Sequence, residues 1–405
     1  MAKSLGLPVG EAAWIKHFGR FEPLPDNLSE PLAMRYHGHQ FRHYNVDLGD
    51  GRGFLYAQLY DAQGRLLDLG TKGSGQTPYS RRGDGRLTLL GGVREVLATR
   101  YLEHLGVNTS RSLSLIETGE DLIRGDEPSP TRSAVMVRCN HSHIRFGTFQ
   151  RHAYFTDREA LDTLIQYCLK HFYPDAKDGA ELLEQVCLKS AEMVAGWMAA
   201  GFVHGVMNTD NMNITGESFD YGPYRFLPTL KSGMTAAYFD HSGLYAFARQ
   251  PEAMYWNLAQ LAQSLSLVTE DESLLKALES FAPAYQKALR DQVFRRLGLQ
   301  TKTVEKDTDF VLSTFRVLEE SQVSWPDFWH DWQGGASEKE VYGTGFSAWR
   351  TDYSGYETVS EPPERDAPAT LIYEEIGNLW EPIATQNDWS LLEGKLESFE
   401  RAPFS

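Results

Sequence analysis

Cysteine, positive charge and long apolar runs are all scarce in this sequence, and each scarcity excludes a class of protein. The 405 residues include Cys139, Cys168 and Cys187, an odd number without a C-x-x-C pair, which argues against a disulfide framework. Lys and Arg total 39 against 55 Asp and Glu, and the net charge of −16 argues against a general nucleic-acid or membrane-surface binder. No run of about 18 apolar residues is present, so no membrane span is expected.

The opening segment and the composition indicate a folded protein from a reducing compartment. The segment MAKSLGLPVGEAAW lacks the long apolar core and the cleavage signal of a secretory peptide, so we expect a cytoplasmic protein. Apolar residues make up 41% and aromatic residues 12% of the chain, which is enough for a substantial core. The length suits two or three domains, or one large two-lobed protein.

Hydrophobic patterning changes along the chain from strand-like to helix-like. The first part predicts a helix over 92–105, ending at Gly106, and strands over 53–60, 65–72, 111–117 and 133–139. The second part predicts helices over 181–200, 253–267 and 272–295, an irregular aromatic region beyond 325, and a loop over 360–368. A small β-rich lobe followed by a larger helical lobe is an α+β arrangement.

The stretch HGVMNTDNMNITGESFDYG, residues 204–222, resembles the catalytic segments of protein kinases but departs from them at one position. His204 and Asn211 have the spacing of the kinase sequence H-R-D-x-x-x-x-N, and D-Y-G parallels D-F-G. Val206 stands where kinases have the catalytic Asp. The amide of Asn211 and the carboxylate of Asp220 are oxygen donors of the kind that Mg²⁺ prefers. The other interpretation is a plain turn, because turns favour Asn and Asp.

A glycine-rich turn, LGDGRG, precedes two predicted strands and a helix. Gly49 and Gly51 let the backbone approach a phosphate closely, although plain hairpin connections also contain such glycines. Lys72 ends the second strand and Glu95 lies on the helix, as in the Lys–Glu pair that binds phosphates in kinases. The alternative is that Lys72 and Glu95 are separate surface charges.

Arginines cluster beside these glycines in spite of the acidic balance of the chain. The two groups are Arg81, Arg82 and Arg86, close to Asp84 and Gly85, and Arg138 and Arg145, which flank CNHSH in the predicted link between the lobes. Guanidinium groups bind phosphates in bidentate fashion and stay charged. Together they form the local basic cluster that a polyphosphate ligand needs, whereas each one alone is typical of a solvated surface.

Three histidines lie close together in the sequence, at His37, His39 and His43. Their spacing lacks the H-E-x-x-H pattern of a zinc site, and no cysteine lies nearby. We interpret them as structural histidines or as members of a polar network. No Ser, Cys or Thr catalytic triad is recognisable in the sequence.

Several long, ordered segments together resemble one family closely. They are GHQFRHYNVDLGDGRG, LGTKGSGQTPYSRRGDGR, VREVLATRYLEHLGV, SHIRFGTF and HGVMNTDNMNITGESFDYGPYRFL. The family is that of selenoprotein O, also called YdiU, whose members are pseudokinase-fold proteins. The resemblance covers roughly residues 36–265, which is more than half of the chain.

The resemblance implies a protein-kinase-like two-lobed fold, with a β-rich lobe over 1–147 and a helical lobe over 148–405. It implies a protein adenylyltransferase that transfers AMP from ATP to the Ser, Thr or Tyr hydroxyls of proteins, itself included. The nucleotide is expected to lie inverted, with its α-phosphate facing the acceptor. The implied metal is Mg²⁺ or Mn²⁺, and UMP transfer from UTP with Mn²⁺ is attributed to bacterial members. Neither a nucleic acid nor a membrane is an implied partner.

The resemblance also implies roles for individual residues. Lys72 would contact the phosphates and pair with Glu95, and Asp210 would be the proton acceptor. Asn211 and Asp220 would hold the metal, with Asp220 also facing the nucleotide. The other nucleotide contacts would come from Gly49, Gly51, Arg52, Asp84, Gly85, Arg138 and Arg145. A carboxylate next to Asn211 still reaches an acceptor hydroxyl, which would account for Val206 in place of the kinase base.

The C-terminal part departs from the family pattern. Residues 300–405 contain no cysteine and no N-P-x-x-x-x-R-N-like helix, so the resemblance does not extend to redox control through a tail cysteine. Two alternatives to AMP transfer are a phosphotransferase that uses the γ-phosphate and a non-catalytic nucleotide-binding scaffold. Val206 argues against the first, and the retention of Asp210, Asn211 and Asp220 with Lys72 and Glu95 argues against the second.

Overall fold

Antiparallel strands and α-helices together build the protein, which confirms the predicted α+β class. A computed structural model describes residues 5–7, 10–25, 27–125, 127–363 and 367–400. Of the opening segment that predicted the cytoplasmic location, residues 1–4, 8 and 9 lie outside the described residues. Within the described ranges, every helix is too short or too polar to cross a bilayer.

One main antiparallel sheet and two small hairpin-like pairs contain the strands. The strands are β1 (Asn27–Leu32), β2 (Gly38–Gln40), β3 (His43–Asn45), β4 (Leu55–Tyr60), β5 (Leu66–Lys72), β6 (Leu87–Thr88), β7 (Arg111–Leu122), β8 (Thr131–Asn140), β9 (Phe202–Val203) and β10 (Arg225–Phe226). The main sheet has the order β1-β4-β5-β8-β6, and β7 also pairs with β8. The small pairs are β2 with β3 and β9 with β10.

Most of the helices follow the main sheet in the chain. They are α1 (Glu11–Trp14), α2 (Leu89–His104), α3 (Phe146–Tyr154), α4 (Arg158–His171), α5 (Gly179–Ala200), α6 (Gln250–Leu265), α7 (Asp271–Glu279), α8 (Phe281–Leu297), α9 (Val304–Ser321), α10 (Trp325–Asp331), α11 (Ser347–Ser354), α12 (Tyr373–Gln386) and α13 (Ser390–Glu400). Short π-helical and 3₁₀ turns connect some of them.

The register of β5 against β8 brings two of the predicted basic residues to one face of the main sheet. All seven residues of β5 are buried, so buried and exposed positions do not alternate along this strand. Lys72 pairs with Met136, and Gly70 pairs with Arg138. Because directly paired residues point to the same face and side chains alternate along a strand, Lys72 and Arg138 share that face.

Helix α2 carries Glu95 against the sheet. It begins after Thr88, whose hydroxyl accepts a hydrogen bond from the amide of Gly91, the usual role of an N-cap residue. It ends at His104, and Gly106 follows in the left-handed region, as predicted for a C-terminal stop. Glu95 is buried on the side of α2 that packs on β7 and β8.

The long buried helix α5 delivers the chain to the segment 204–222. Asp178 caps its first turn by accepting from the amides of Ala180 and Glu181. Gly201 ends it in the left-handed conformation, at a φ of 68°, as the sequence predicted. The short pair β9–β10 then joins the two ends of the loop that contains this segment.

One predicted helix, over 272–295, is two helices in the structure. Helix α7 ends at Glu279 and helix α8 begins at Phe281. Pro283 in the first turn of α8 explains the break, because its ring would clash with the carbonyl four residues earlier in a continuous helix. The sequence prediction followed the apolar periodicity that continues across both helices and did not take Pro283 into account.

The region beyond residue 325 is more regular than predicted. It contains α10, α11, α12 and α13, and the irregular interpretation was wrong. Trp325, Trp329 and Trp332 have i, i+4, i+7 spacing, and Trp332 packs at 4.8 Å on Trp349 in a buried aromatic core. In the loop predicted over 360–368, residues 360–363 and 367–368 have no regular structure, and 364–366 lie outside the described residues.

Candidate active site

The glycine-rich loops, the main sheet and the loop after β9 together line one polar cleft of about 780 Å³. The residues singled out in the sequence that line it are Gly49, Gly51, Arg52, Lys72, Arg81, Arg82, Asp84, Gly85, Arg86, Arg138, Arg145, Val206, Asn211 and Asp220. Glu95 and Asp210 do not contribute to this lining, but both are buried in contact with residues that do. The structure therefore brings together side chains that lie up to 171 positions apart in the sequence.

Asp220 lies at the centre of a buried ionic cluster. Arg138 Nη1 donates to Asp220 Oδ1 at 2.7 Å, and Arg145 Nη1 donates to Asp220 Oδ2. Lys72 Nζ lies 3.6 Å from Oδ1. Glu95 pairs with Lys72 and lies 3.7 Å from Arg138 Nη1. We name these five residues, Lys72, Glu95, Arg138, Arg145 and Asp220, the ionic cluster.

The ionic cluster contains three cations and two carboxylates, so it has an excess of positive charge. Burial disfavours the charged form of Asp220, yet Arg145, Arg138 and Lys72 hold the pKa of Asp220 well below its usual range. Burial also lowers the pKa of Lys72, and contact with Glu95 opposes that effect. The surplus positive charge at the cleft wall favours binding of an anion such as a phosphate chain.

Two aromatic rings that the sequence did not single out support the arginines. The Phe219 ring centroid lies 4.5 Å from Arg138 Cζ and 4.7 Å from Arg145 Cζ. Tyr36 places its ring 4.9 Å from Arg145 Cζ. Stacking of this kind keeps guanidinium groups oriented while leaving their N–H groups free to donate. A buried aromatic residue beside a motif is typical of core packing, so the sequence contained no signal for this role.

The backbone of Asp220 is itself unusual. Its φ of 61° lies in the left-handed region, which non-glycine residues seldom adopt and which Asp tolerates better than most. The next residue, Tyr221, is buried and contacts the hydroxyl of Thr109, while His204 lies against the carbonyl of Phe219 at 3.0 Å. These contacts hold the strained turn in place, as is common at functional sites.

The two glycine-rich loops pack tightly against each other. A Cβ atom at Gly49 would lie 2.4 Å from the Tyr79 ring, and one at Gly51 would lie 3.0 Å from the Tyr79 carbonyl oxygen. Thr77 Oγ1 donates to Asp50 O at 2.6 Å, and Ser80 Oγ donates to Gly51 O. The contact between the loops therefore leaves no room for a side chain at Gly49 and little at Gly51, whereas the sequence argument had considered only their approach to a phosphate.

Residues 79–86, which we name the outer loop, line the cleft from a more exposed position. Arg81 and Arg82 are exposed and have positive φ values of 54° and 122°. Gly85 also has a positive φ, and a Cβ there would lie 2.1 Å from Gly75 O, so only glycine fits. The loop thus keeps two arginines in a conformation that costs free energy.

Asp84 in the outer loop is engaged by an arginine that sequence reasoning missed. Arg124 donates to both Asp84 carboxylate oxygens, at 2.8 and 3.0 Å, and the amide of Arg86 donates to one of them at 2.9 Å. Burial is slight and opposes ionisation, while Arg124 and Arg86 lower the pKa of Asp84. Arg124 also lines the cleft, at the end of β7, far in sequence from every glycine-rich loop.

Asn211 and Val206 face the cleft from the loop after β9. Asn211 Nδ2 donates to the carbonyl oxygen of Val206 at 3.0 Å, which fixes the amide and leaves Oδ1 for another partner. Val206, which stands where the kinase sequence pattern has its Asp, also lines the cleft with an apolar residue. The loop therefore offers an amide oxygen and the Asp220 carboxylate, without a base at position 206.

Asp210 lies beneath the β2–β3 hairpin, beside the cleft lining. Arg145 Nη1 donates to the carbonyl oxygen of Asp210 at 2.6 Å, and Gln40 Nε2 lies 3.5 Å from Oδ2. Oδ1 is buried without a hydrogen-bond partner among the described residues. Burial raises the pKa of Asp210 to about 6, against the lowering effect of Arg145. The Asp210 carboxyl group is thus more readily protonated than an ordinary Asp side chain.

The histidines of the N-terminal hairpin join a polar and aromatic network. His37 Nδ1 lies 3.1 Å from the Tyr44 hydroxyl, and His39 Nδ1 lies 2.7 Å from Gln150 Nε2. The His39 amide also donates to Thr209 Oγ1 at 2.7 Å, which ties the hairpin to the Asp210 turn. This is the structural role that the sequence interpretation assigned to His37 and His39.

Comparison with known proteins places the chain in a family. The sequence profile of the family described as "Protein adenylyltransferase SelO" matches residues 1–399, well beyond the range of roughly 36–265 over which the sequence resembles the family. The "Protein nucleotidyltransferase YdiU" of Synechocystis sp. is 45% identical over 417 residues, which cover 94% of this chain and 86% of that protein. The same-named protein of Gloeobacter violaceus is also 45% identical, covering 94% and 83%. The chain belongs to the SelO family of protein adenylyltransferases.

Proposed function

We propose that the protein transfers AMP from ATP to Ser, Thr or Tyr hydroxyls of other proteins or of itself, with Mg²⁺ or Mn²⁺. UTP, with UMP as the transferred group, is a second donor of the same chemistry. The observation that carries the proposal is the Asp220 carboxylate, held by three cations in a cleft where Val206 replaces the kinase base. Membership of the SelO family supports the reaction class.

The fold that suits this reaction is a protein-kinase-like pair of lobes, β-rich over 1–147 and helical over 148–405. The main sheet and α2 belong to the first range, and α4 to α13 belong to the second. Lys72 and Arg138 reach the cleft from the first, while Asn211 and Asp220 reach it from the second. A cleft between two such lobes is where a kinase binds its nucleotide.

The phosphate chain is proposed to lie against the ionic cluster and the two glycine-rich loops. Lys72, Arg138 and Arg145 supply positive charge from the buried wall, and Arg52 supplies it from the LGDGRG loop. Gly49, Gly51, Asp84 and Gly85 also line the cleft. Positioned cations stabilise the charge that develops on the phosphoryl oxygens during transfer.

Asn211 and Asp220 fit the requirements of a divalent ion. Asn211 Nδ2 is occupied by Val206 O, so the amide oxygen is the free donor, and the Asp220 carboxylate is ionised. An amide oxygen and a carboxylate are the few protein donors with which Mg²⁺ and Mn²⁺ are held beside phosphates. When bound, the ion would neutralise phosphate charge.

Asp210 is proposed as the base. The acceptor hydroxyl gives its proton to Asp210 while its oxygen forms a bond to the α-phosphorus. The bond from the α-phosphorus to the bridging oxygen of the β-phosphate breaks, and pyrophosphate leaves with that electron pair. The unpartnered Oδ1 of Asp210 supports this role, and a positioned base contributes about 10²–10⁴-fold.

Intact-protein mass spectrometry with labelled ATP tests the proposal. The protein is incubated with Mg²⁺ or Mn²⁺, a lysate of acceptor proteins, and ATP labelled at either the α or the γ position. Gain of one AMP unit, with label transferred only from the α position, is the expected result. Label transferred only from the γ position would identify a phosphotransferase, and nucleotide binding without any transfer would identify a scaffold.

A further inference from the structure

A patch of exposed aromatic side chains lies on the flank of the cleft. Tyr44, Tyr154 and Phe155 are 38%, 56% and 55% exposed. Their rings are in mutual contact, since Tyr44 stacks on Tyr154 at 5.8 Å and Tyr154 meets Phe155 edge-on at 5.1 Å. We name these three residues the aromatic patch. Contiguous exposed aromatic groups of this kind mark interaction surfaces, whereas isolated ones do not.

Two arginines without an ion-pair partner among the described residues border the aromatic patch. Arg35 is exposed, and Arg151 lies over the Phe155 ring at 5.1 Å. Arg35 lies two residues before His37, whose ring contacts Tyr154 at 5.2 Å and Phe155 at 5.6 Å. Burial and the charge of Arg35 both lower the pKa of Arg151. The carboxylate that acts on Arg151 is Asp157, which lies 3.7 Å from His152. The pair therefore has unused capacity to bind an anion.

This surface is joined directly to the proposed active site. Helix α3 follows Arg145, which contacts Asp210, and also carries Arg151, six residues further on. Six residues of helix correspond to about 9 Å. Arg35 forms a β-bridge with Gly49 of the cleft lining, and the neighbouring Tyr36 lines the cleft. Arg151 is therefore on the helix that follows Arg145, and Arg35 is bridged to the cleft lining.

We propose that Arg35, Arg151 and the aromatic patch dock the acceptor polypeptide, and that they favour a segment with an acidic and an apolar side chain near the acceptor hydroxyl. This proposal rests on the proposed AMP transfer to proteins. Charge complementarity carries it: in a chain of net charge −16, the exposed Arg35 and the half-buried Arg151, both without an ion-pair partner among the described residues, are a local site for acidic groups. The aromatic patch supplies the apolar contact area.

The test uses the full-length protein with ATP, Mn²⁺ or Mg²⁺, and synthetic peptides that contain one Ser. Each peptide has Glu, Gln or Lys three positions before or after the Ser, and one Phe beside that residue. Transfer to the Glu peptide is expected to exceed transfer to the Lys peptide by about five- to tenfold in kcat/KM, mainly through KM. Transfer to the Glu peptide should decrease when its Phe is removed.

Charge reversal provides the decisive comparison. The double variant Arg35→Glu with Arg151→Glu should invert the preference, so that the Lys peptide becomes the better acceptor while the affinity for ATP is unchanged. Arg316→Glu, an exposed site on α9, is the matched control and should retain the wild-type preference. The Phe155→Ser variant should raise KM for every Phe-containing peptide.

The outcomes separate this proposal from the one on which it rests. If the wild-type protein transfers AMP to peptides or lysate proteins without regard to the charge near the Ser, or if the double variant keeps the wild-type preference, the docking surface is wrong and the transferase stands. If the double variant changes only self-association or binding to anionic vesicles, the occupant is a second copy or a lipid surface, and the proposal fails. Absence of any AMP transfer overturns both.

Discussion

The ionic cluster and the outer loop both bring positive charge to the cleft, but the fold supports them in opposite ways. The ionic cluster is buried, and its cations are held by Glu95, Asp220 and the Phe219 ring. The outer loop is exposed, and Arg81 and Arg82 adopt strained backbone conformations. Buried charges are screened little by salt, whereas exposed ones are screened strongly. The ionic cluster is therefore a preorganised part of the cleft, whereas the electrostatic effect of the outer loop depends on the ionic strength.

The largest expected effect comes from removing the centre of the ionic cluster. Asp220→Ala leaves Lys72, Arg138 and Arg145 without their shared carboxylate and removes a proposed metal donor. We expect metal-dependent AMP transfer to fall by at least about a hundredfold while the protein stays folded. Transfer is measured by intact-protein mass spectrometry and folding by circular dichroism.

Asp291→Ala is the matched control for this change, because it removes one exposed carboxylate from α8. It should leave transfer and folding at wild-type levels. An active Asp220→Ala protein would contradict the metal assignment and the central role of the ionic cluster.

A second prediction compares a buried ion pair with an exposed one. Glu95→Gln leaves the buried Lys72 charge without its contact partner, and we expect the free energy of unfolding to fall by on the order of 3 kcal/mol. Glu120→Gln breaks the 2.8 Å pair with Arg86 on the cleft's exposed side and should cost less than about 1 kcal/mol. Urea titrations of both variants measure the difference. Equal losses of unfolding free energy in the two variants would show that burial does not determine how much these two ion pairs contribute to stability.

The sequence predicted the parts of the site that local patterns determine. Lys72 and Glu95 were found from a strand followed by a helix, and Asn211 and Asp220 from the spacing within one loop. The boundaries of β5 and α5 follow from buried periodicity and from Gly201, and both were predicted closely. These features depend on residues near each other in the sequence, where propensity and spacing are informative.

The missed features depend on contacts between distant residues. Arg124 reaches Asp84 from 40 positions away, and Phe219 stacks on Arg138 from 81 positions away. Gly49 is fixed by the ring of Tyr79, a contact that no local pattern encodes. The break at Pro283 is the exception, since a proline four residues after Glu279 is a local signal that the helical periodicity obscured.

A third prediction concerns the support of the outer loop. Arg124→Gln releases Asp84 from its bidentate partner, so we expect weaker ATP binding with a change in stability of less than about 1 kcal/mol. The loss in affinity should shrink between about 0.01 M and 0.1 M ionic strength, as the screening length falls from roughly 30 Å to 10 Å. Fluorescent-nucleotide titrations at both ionic strengths measure it. If the loss in ATP affinity were the same at both ionic strengths, Arg124 would behave like the buried cations of the ionic cluster.

The smallest effects are expected for Arg82→Gly, which should increase stability but weaken ATP binding. Arg82 has a φ of 122°, which glycine adopts without steric cost, while glycine also raises the entropy of the unfolded chain. Relief of backbone strain, about 1–3 kcal/mol, stabilises the Arg82→Gly variant, and the higher entropy of its unfolded chain destabilises it. We expect a net increase of up to about 1 kcal/mol in the free energy of unfolding. It should bind ATP more weakly, because one cleft guanidinium is lost. Arg82→Lys keeps the charge and the strain, so it should retain most of the affinity without any gain in stability. A destabilised Arg82→Gly protein would mean that the outer loop is held by contacts of the Arg82 side chain, and the contrast between the ionic cluster and the outer loop would then rest on exposure alone.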